Sequence, residues 1–581
     1  MLHKLIEYAE AHGIRGEQGF SRKRVRWLLN FSTNGKYLGL VEQTEPGAKP
    51  GVGREFFNVP HLKFSGDTPM RQFLVDTAQY ALRYGETFNK KAMAKHRFFL
   101  KLLQDAGDAD PFLPKVAKAL ADEHVLEKIN RDLREQAPKA KPSDNVTFAE
   151  ITRGKTRIIA HEKTWHKWWR AYYPTLFKKR ESSNPMLCMI SGEICDPAPT
   201  HPKIRGIGRD VGGKEETTLI GFNLDAFCSY GLKQSRNAAI KPELTEQYAA
   251  ALNELIARHS YRLIGTKIAY WYAGKDEVPA ELDPLSWLWK QSDDESVERV
   301  AHSKAKSLLD SIRSGRRSDL LNYRYYSMTL SGSSARVVVR DWIEGQFGDL
   351  VANIDDWFND LAIAHRDGDR LAPRPKFLAV LGALARELKE VSSPFETKMW
   401  HVAVRNEPIP EFAMARALAR VKAGIIQDEP FNHARMGLLK AYHTRKGDKN
   451  MSPYLNEDHP NPAYQCGRLM AVYADLQRAA LGNVGAGVVQ RYYAAASATP
   501  ALIFGRLSRG SQFHLSKLEG GLAYWYEQRL GSIWGKIKDT IPNTLTLEEQ
   551  SLFALGYYQQ IAAPKKSEKN QSTNPQEKKG E

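Results

Sequence analysis

The sequence predicts an α+β protein: a mixed α/β N-terminal region with antiparallel strands and helices, followed by an all-α C-terminal helical bundle. Two patterns carry this reading. Short runs of β-branched and aromatic residues, partly alternating and bounded by turn residues, recur up to Trp342. From Asp349 onward apolar residues recur almost wholly with helical period. At 581 residues the chain exceeds what one core normally organises, so roughly two to four domains are expected.

The elements follow in order. MLHKLIEYAEAHGI reads as an amphipathic helix with Leu2, Leu5, Ile6 and Ala9 on one face, and Glu7 and Glu10 interrupt any signal-peptide core. Residues 26–29 and 37–41 read as strands around Thr33-Asn34-Gly35, a turn signal because Asn and Gly tolerate positive φ. Residues 43–54, rich in Pro and Gly, form a loop. Residues 68–106 and 114–135 read helical, and 137–144 is a linker-like break. Strands return at 217–222, 266–272, 323–330 and 336–342, the last two closing a hairpin over Ser331-Gly332-Ser333-Ser334, while 242–258 reads helical. Three prolines within 450–462 suggest a boundary, and 464–560 then gives four or five helices. Residues 564–581 lack any aromatic or branched apolar side chain and are expected to be a disordered tail. The expected segments are therefore 1–145, 146–345, 346–450, 451–563 and 564–581.

Charge is the compositional signal for function. Lys plus Arg number 84 against 67 Asp plus Glu, a formal net charge of +17, which favours an anionic partner. The cations gather in acid-poor stretches. Residues 18–41 hold Arg22, Lys23, Arg24, Arg26 and Lys36 with no carboxylate. Lys90, Lys91, Lys95, Arg97 and Lys101 share one acid-free helix. Residues 151–180 carry nine Lys or Arg against one Glu, and their Trp165, Trp168, Trp169 and Tyr172 recur at helical spacing, which predicts burial. Residues 476–518 contain no carboxylate yet carry Arg478, Arg491, Arg506, Arg509 and Lys517. Uncancelled cations interleaved with aromatics suit phosphates and stacked bases.

Other chemistries lack a signal. Residues 206–213 are glycine-rich, but the third glycine of a dinucleotide fingerprint would fall on Val211, and a strand is expected next in place of a helix. Cys188, Cys195, His201 and Cys228 lack the paired spacing of zinc ligands, and with Cys466 the four cysteines make no disulfide framework. No nucleophile elbow or zinc-protease motif occurs. Asp355-Asp356 and Asp293-Asp294-Glu295 sit in polar segments and are expected to be solvated. Neither a catalytic residue, a metal nor a cofactor is expected. No run approaches ~18 apolar residues, so a soluble cytoplasmic protein without a membrane partner is expected.

Several phrases, in order along the chain, resemble the Csd family, the large subunits of the type I-C CRISPR Cascade surveillance complex. They are Val25-Arg26-Trp27-Leu28 with Gly35-Lys36-Tyr37-Leu38-Gly39-Leu40, then Val59-Pro60-His61 and His201-Pro202-Lys203-Ile204-Arg205-Gly206. Leu219-Ile220-Gly221-Phe222-Asn223, Ala226-Phe227-Cys228-Ser229-Tyr230-Gly231, Gln234, Asn237-Ala238 and Ala335-Arg336-Val337-Val338-Val339-Arg340-Asp341-Trp342 follow. The helical end adds Gly467-Arg468-Leu469, Arg491-Tyr492-Tyr493, Ala496-Ser497-Ala498-Thr499-Pro500 and Leu555-Gly556-Tyr557-Tyr558. Arg205, Gly221 and Asp341 depart from the family's expected Lys, Ser and Phe.

The resemblance implies a non-catalytic subunit that reads the PAM beside a double-stranded DNA target, helps open it, holds the displaced strand and recruits a helicase-nuclease. Its partners would be target DNA, the crRNA-containing complex, the Cascade backbone and crRNA-processing subunits, and a small helical subunit started internally at Met451 or Met470. Lys23, Arg24, Asn34, Lys36, Gln234, Arg236 and Asn237 are the candidates for DNA and PAM contact, because amides and guanidinium groups can address base edges. Asn34 could equally serve only its turn, and Asn237 only a helix cap. Arg478, Arg491, Arg506 and Arg509 are the candidates for the displaced strand. A metal-dependent nuclease and a purely structural assembly subunit are the alternatives.

Overall fold

The computed structural model describes residues 1–14, 17, 19–44, 51, 53–62, 69–85, 90–136, 140–177, 185–208, 211–222, 224–274, 278–289, 295–368, 370–425, 431–482, 484–485 and 487–563. The expected tail at 564–581 and the pair Asp293-Asp294 lie outside them. The chain forms two compact units, Met1–Ile204 with Thr218–Glu254, and Arg205–Thr217 with Leu255–Glu581. That division is not one of consecutive segments, because the chain passes between the units after Ile204, after Thr217 and after Glu254.

The first unit opens with helix α1 (Leu2–Ala11), which buries Leu5, Ile6, Tyr8 and Ala9. Strands β1 (Phe20–Val25), β2 (Trp27–Ser32), β3 (Tyr37–Glu42), β4 (Arg54–Pro60) and β5 (Asp76–Thr77) follow. Helices α2 (Ala78–Ala81), α3 (Lys90–Asp105), α4 (Leu113–Ala121) and α5 (Glu123–Gln136) then lead to β6 (Asn145–Thr152) and β7 (Lys155–Ile158). The main sheet has the order β3-β2-β6-β5, with β7 also on β6, while β1 pairs with β4 separately. The β2–β3 pairing is antiparallel as expected, but β2 and β6 run parallel. A parallel neighbour requires a long crossover, and the intervening chain supplies it through α2 to α5.

Expectation and structure part at several places in this unit. Among the described residues of 68–106, α2 and α3 alone are helical, because Asp76, buried against Arg71, enters the sheet as β5. Strands β1, β4, β6 and β7 escape the alternation test: β1 is a charged run, FSRKRV, and four consecutive residues of β6 are buried. Helix α6 (Thr164–Tyr172) buries Trp165 and Trp169, with Trp168 and Tyr172 packed at the edge of the same core. The helical spacing of that aromatic run therefore reports packing. Short strands β8 (Met186–Leu187) and β9 (Ile194–Cys195) form a hairpin, β10 (Lys203–Arg205) follows, and α7 (Pro242–Arg258) occupies the expected range.

In the second unit a sheet runs in the order β11-β14-β13-β12, built from β11 (Gly213–Thr218), β12 (Ser260–Arg262), β13 (Lys267–Ala273) and β14 (Arg324–Gln346). The strand expected at 217–222 thus starts and ends earlier. Segment β14 turns back on itself as the expected hairpin: Phe347 N–H donates to the Tyr323 carbonyl at 2.9 Å, Arg340 Nε to Ser331 Oγ at 2.7 Å, and Tyr326 stacks on Trp342. A Cβ on Gly332 would lie 2.1 Å from the Gly213 nitrogen. The glycines at 212–213 therefore let two backbones touch, which accounts for the glycine-rich stretch without a nucleotide.

Helices α8 (Pro284–Trp289) and α9 (Glu295–Arg313), which periodicity did not single out, precede the long helical end. That end comprises α10 (Phe347–Asp360), α11 (Phe377–Ala383), α12 (Ser393–Val404), α13 (Glu411–Ala423), α14 (His433–Arg445), α15 (Pro462–Leu481), α16 (Val488–Ala496), α17 (Pro500–Leu515), α18 (Gly520–Ile537) and α19 (Leu547–Ala562). One continuous apolar core runs from Leu263 to Ala562, so residues 450–462 are a connection inside a unit. Asp355, expected to be solvated, is largely covered on α10, with His302 Nε2 at 3.4 Å from its Oδ1. Asn406 Nδ2 donates to the neighbouring Asp356 at 2.9 Å. Among the described residues no helix is long and apolar enough to cross a membrane.

Candidate nucleic-acid interface

The turn after β2 is held both by its own residues and by α4. Gly35 takes φ +86°, and a Cβ there would lie 2.9 Å from the Lys115 Cβ and 3.1 Å from the Lys115 carbonyl, so only glycine lets the turn sit against α4. Gly35 N–H donates to the Ser32 carbonyl at 2.8 Å, and Lys36 N–H to Ser32 Oγ at 3.1 Å. The Ser32 hydroxyl donates to Asn34 Oδ1, and Lys115 Nζ donates to the Thr33 carbonyl at 2.8 Å. Asn34 and Lys36 remain exposed on this frame. Asn34 thus serves its turn through one end of its amide, while the other end makes no hydrogen bond to a described residue. Ser32 and Lys115 position the turn, and nothing local in the sequence points to Lys115, which is far away in the chain.

Tertiary contacts remove several cations from the surface that composition offers. Arg26 is buried, donating from Nε to Glu42 at 2.9 Å and from Nη1 to Asp144 at 2.9 Å. Arg22 pairs with Glu254 at 2.7 Å. Lys23 donates to Gln72 Oε1 at 2.9 Å and to the Val75 carbonyl at 3.1 Å, so its ammonium holds the β1 region to the chain around residue 75. Lys95 is buried beside the Tyr80 ring. Arg24 stays exposed at the edge of β1, opposite Glu55.

The second predicted cluster is a braced loop. Asn237 Oδ1 accepts the Ser229 N–H at 2.8 Å, and its Nδ2 donates to the carbonyls of Leu232 at 3.0 Å and Gln234 at 2.9 Å. These bonds account for Asn237 as a loop tie and not as a cap of α7. Gln234 is exposed at φ +49°, and Arg236 is half-buried. The same loop lifts Tyr230, at φ +52°, fully into solvent. Nearby, the His201 ring lies 2.7 Å from the Tyr248 hydroxyl and 3.3 Å from the Ala238 carbonyl. Among the described residues no group of three or more metal-ligating side chains gathers.

In the helical end all four predicted arginines are exposed: Arg478 in the last turn of α15, Arg491 on α16, Arg506 and Arg509 on α17. None makes an ion pair with a described residue. Leu502, Arg506, Arg509 and Phe513 recur at i, i+4, i+7 and i+11, so they form one exposed stripe of α17, and Lys517 Nζ sits 4.5 Å from the Phe513 ring centre. A stripe of cations flanked by an exposed aromatic, with no carboxylate on its own helix, can take phosphates and a stacked base.

Residues 5–564 match the family model Cas_Csd1, described as CRISPR-associated protein. No curated protein matches the chain.

Proposed function

Because the chain belongs to the CRISPR-associated Csd1 family, a family of Cascade large subunits, we propose that it is the type I-C large subunit and grips target DNA without cutting it. Guide pairing held by partner subunits supplies most of the sequence discrimination, and this chain supplies charge, shape and PAM contact. The turn at 33–36 suits base-edge testing, since its amide and ammonium are exposed on a stiff frame. Arg478, Arg491, Arg506 and Arg509 would hold the displaced strand, and the opened target would be presented to a helicase-nuclease. The reading places the protein in the cytoplasm with the crRNA-containing complex and a small helical subunit.

The observation that carries this reading is the exposed, acid-free stripe of α17 in a family of guide-complex subunits. The assembled complex with R491E, R506E and R509E should bind target DNA more weakly. Its plot of log affinity against log salt should flatten by about one unit for each phosphate no longer neutralised. Unchanged affinity and slope would favour a purely structural subunit whose basic faces meet protein or crRNA. Cleavage of target DNA by the purified chain with Mg²⁺ or Mn²⁺ would overturn the non-cutting assignment in favour of a metal-dependent nuclease.

A further inference from the structure

A second turn stands beside the Asn34 turn, and the sheet puts it there. β2 and β6 are parallel neighbours, with Phe31 opposite Glu150 and Ser32 opposite Ile151. Parallel neighbours end on the same side, so the chain leaves both strands at one edge of the sheet, about 4.8 Å apart. After β2 the chain forms the 33–36 turn. After β6 it reverses into β7, with Thr152 opposite Lys155 as the closing pair and Arg153-Gly154 as the two-residue turn.

Both turn residues are left-handed, Arg153 at φ +46° and Gly154 at φ +77°. Such a turn favours Asn, Asp or Gly at its first position, and an arginine there is strained. Residues 152–156 are all exposed, and a Cβ on Gly154 would meet nothing within 4 Å. Neither Arg153 nor Lys155 has an ion-pair partner among the described residues. The contrast with Arg157 is sharp, since its guanidinium is held by Asp110 at 2.7 Å and Glu150 at 2.6 Å. That pairing ties up Asp110 and Glu150 and offsets one of their two negative charges, so neither carboxylate is engaged with the cations of the tip. Glu162 borders the depression beside the hairpin, so the tip, and not that depression, is the anion-facing part.

We propose that Arg153 and Lys155 form a second prong beside the Asn34–Lys36 turn, gripping the sugar-phosphate backbone of duplex DNA while the first prong addresses base edges. The proposal rests on the target-DNA reading above and adds residues to it. Phosphate contacts fix orientation without reading sequence, which is the role a flexible cation pair on a short tip can fill.

The test uses the assembled complex with R153G/K155A and, separately, N34A, binding PAM-bearing and PAM-scrambled duplexes over a range of salt. Glycine suits a left-handed turn, so R153G should leave the melting temperature unchanged or slightly raised, which separates weakened binding from impaired folding. R153G/K155A should weaken both duplexes by the same factor, roughly tenfold, and lower the salt slope by about two units. N34A should instead narrow the difference between the two duplexes. Normal affinity and slope in R153G/K155A while N34A loses discrimination would overturn the second prong alone. No effect from either variant would overturn the target-DNA reading of this edge as well. A loss confined to the PAM-bearing duplex, or a defect in crRNA loading in place of DNA binding, would also overturn the phosphate assignment.

Discussion

Glu396 shows what single residues decide in this chain. It is fully buried on α12, accepting the Ile264 N–H at 2.7 Å and the Thr266 hydroxyl at 3.2 Å. Burial pushes its carboxyl up to about 7 from an ordinary 4.5. A raised folded-state value means that the neutral form favours folding. The stability it contributes is complete below pH 4.5 and is lost as pH rises through 7, on the order of 3 kcal/mol in all. E396Q should therefore flatten the pH dependence of the melting temperature between pH 4.5 and 8, and an unchanged profile would refute the assignment. Residue identity carries no warning of this, since Glu396 lies in a polar-looking stretch, SSPFETK. The same holds for Arg26, a member of an acid-free run that is nevertheless buried between Glu42 and Asp144. Counting charges finds cations; it cannot find carboxylates that arrive from elsewhere in the chain.

Among elements, the crossing of α15 with α19 is the tightest. A Cβ on Gly467 would lie 2.0 Å from the Phe553 carbonyl oxygen, and one on Gly556 would lie 2.1 Å from that of Tyr464. Backbone cannot swing aside as a flexible side chain can, so G467A or G556A should cost about 3 kcal/mol or more. By contrast Gly531 and Gly535 on α18 have nothing within 4 Å of a Cβ. G531A or G535A should stabilise by about 1 kcal/mol through helix propensity. Chemical denaturation of the four variants separates the two groups, and equal effects would sink this reading of the crossing. The two phrases containing Gly467 and Gly556, almost ninety positions apart, are thus one packing site. Tyr493, from a third phrase, is buried against Phe431, Phe553 and Tyr557. Much of what makes the helical end recognisable is the packing of its core, whereas the arginines of α16 and α17, proposed above to hold the displaced strand, are exposed.

At the scale of the whole molecule, the helical end does not separate cleanly from what precedes it. From Gln550 to Gln560 α19 is buried on all sides: His443 and Ser551 share a hydrogen bond of 2.6 Å, the Tyr558 hydroxyl donates to the Ala364 carbonyl at 2.8 Å, and Phe431 packs on Tyr557. A product beginning at Met451 would keep α15 whole but expose that face, so as an isolated fragment it should self-associate, which light scattering would detect. A product beginning at Met470 would also lack Gly467 and the first turns of α15, and should be less helical by circular dichroism. A monomeric, fully helical Met451 fragment would show that the shared core is dispensable. The sequence by itself determined the helical end, the 324–346 hairpin, the Asn34 turn, the buried tryptophans of α6 and the positively charged character, because period, turn chemistry and net charge are local or additive properties. Only the tertiary structure decided the parallel β2–β6 pairing, the interleaved units, which cations are neutralised and which two turns share an edge. Those outcomes depend on contacts between residues distant in the chain, and no local pattern encodes which distant carboxylate or strand will arrive.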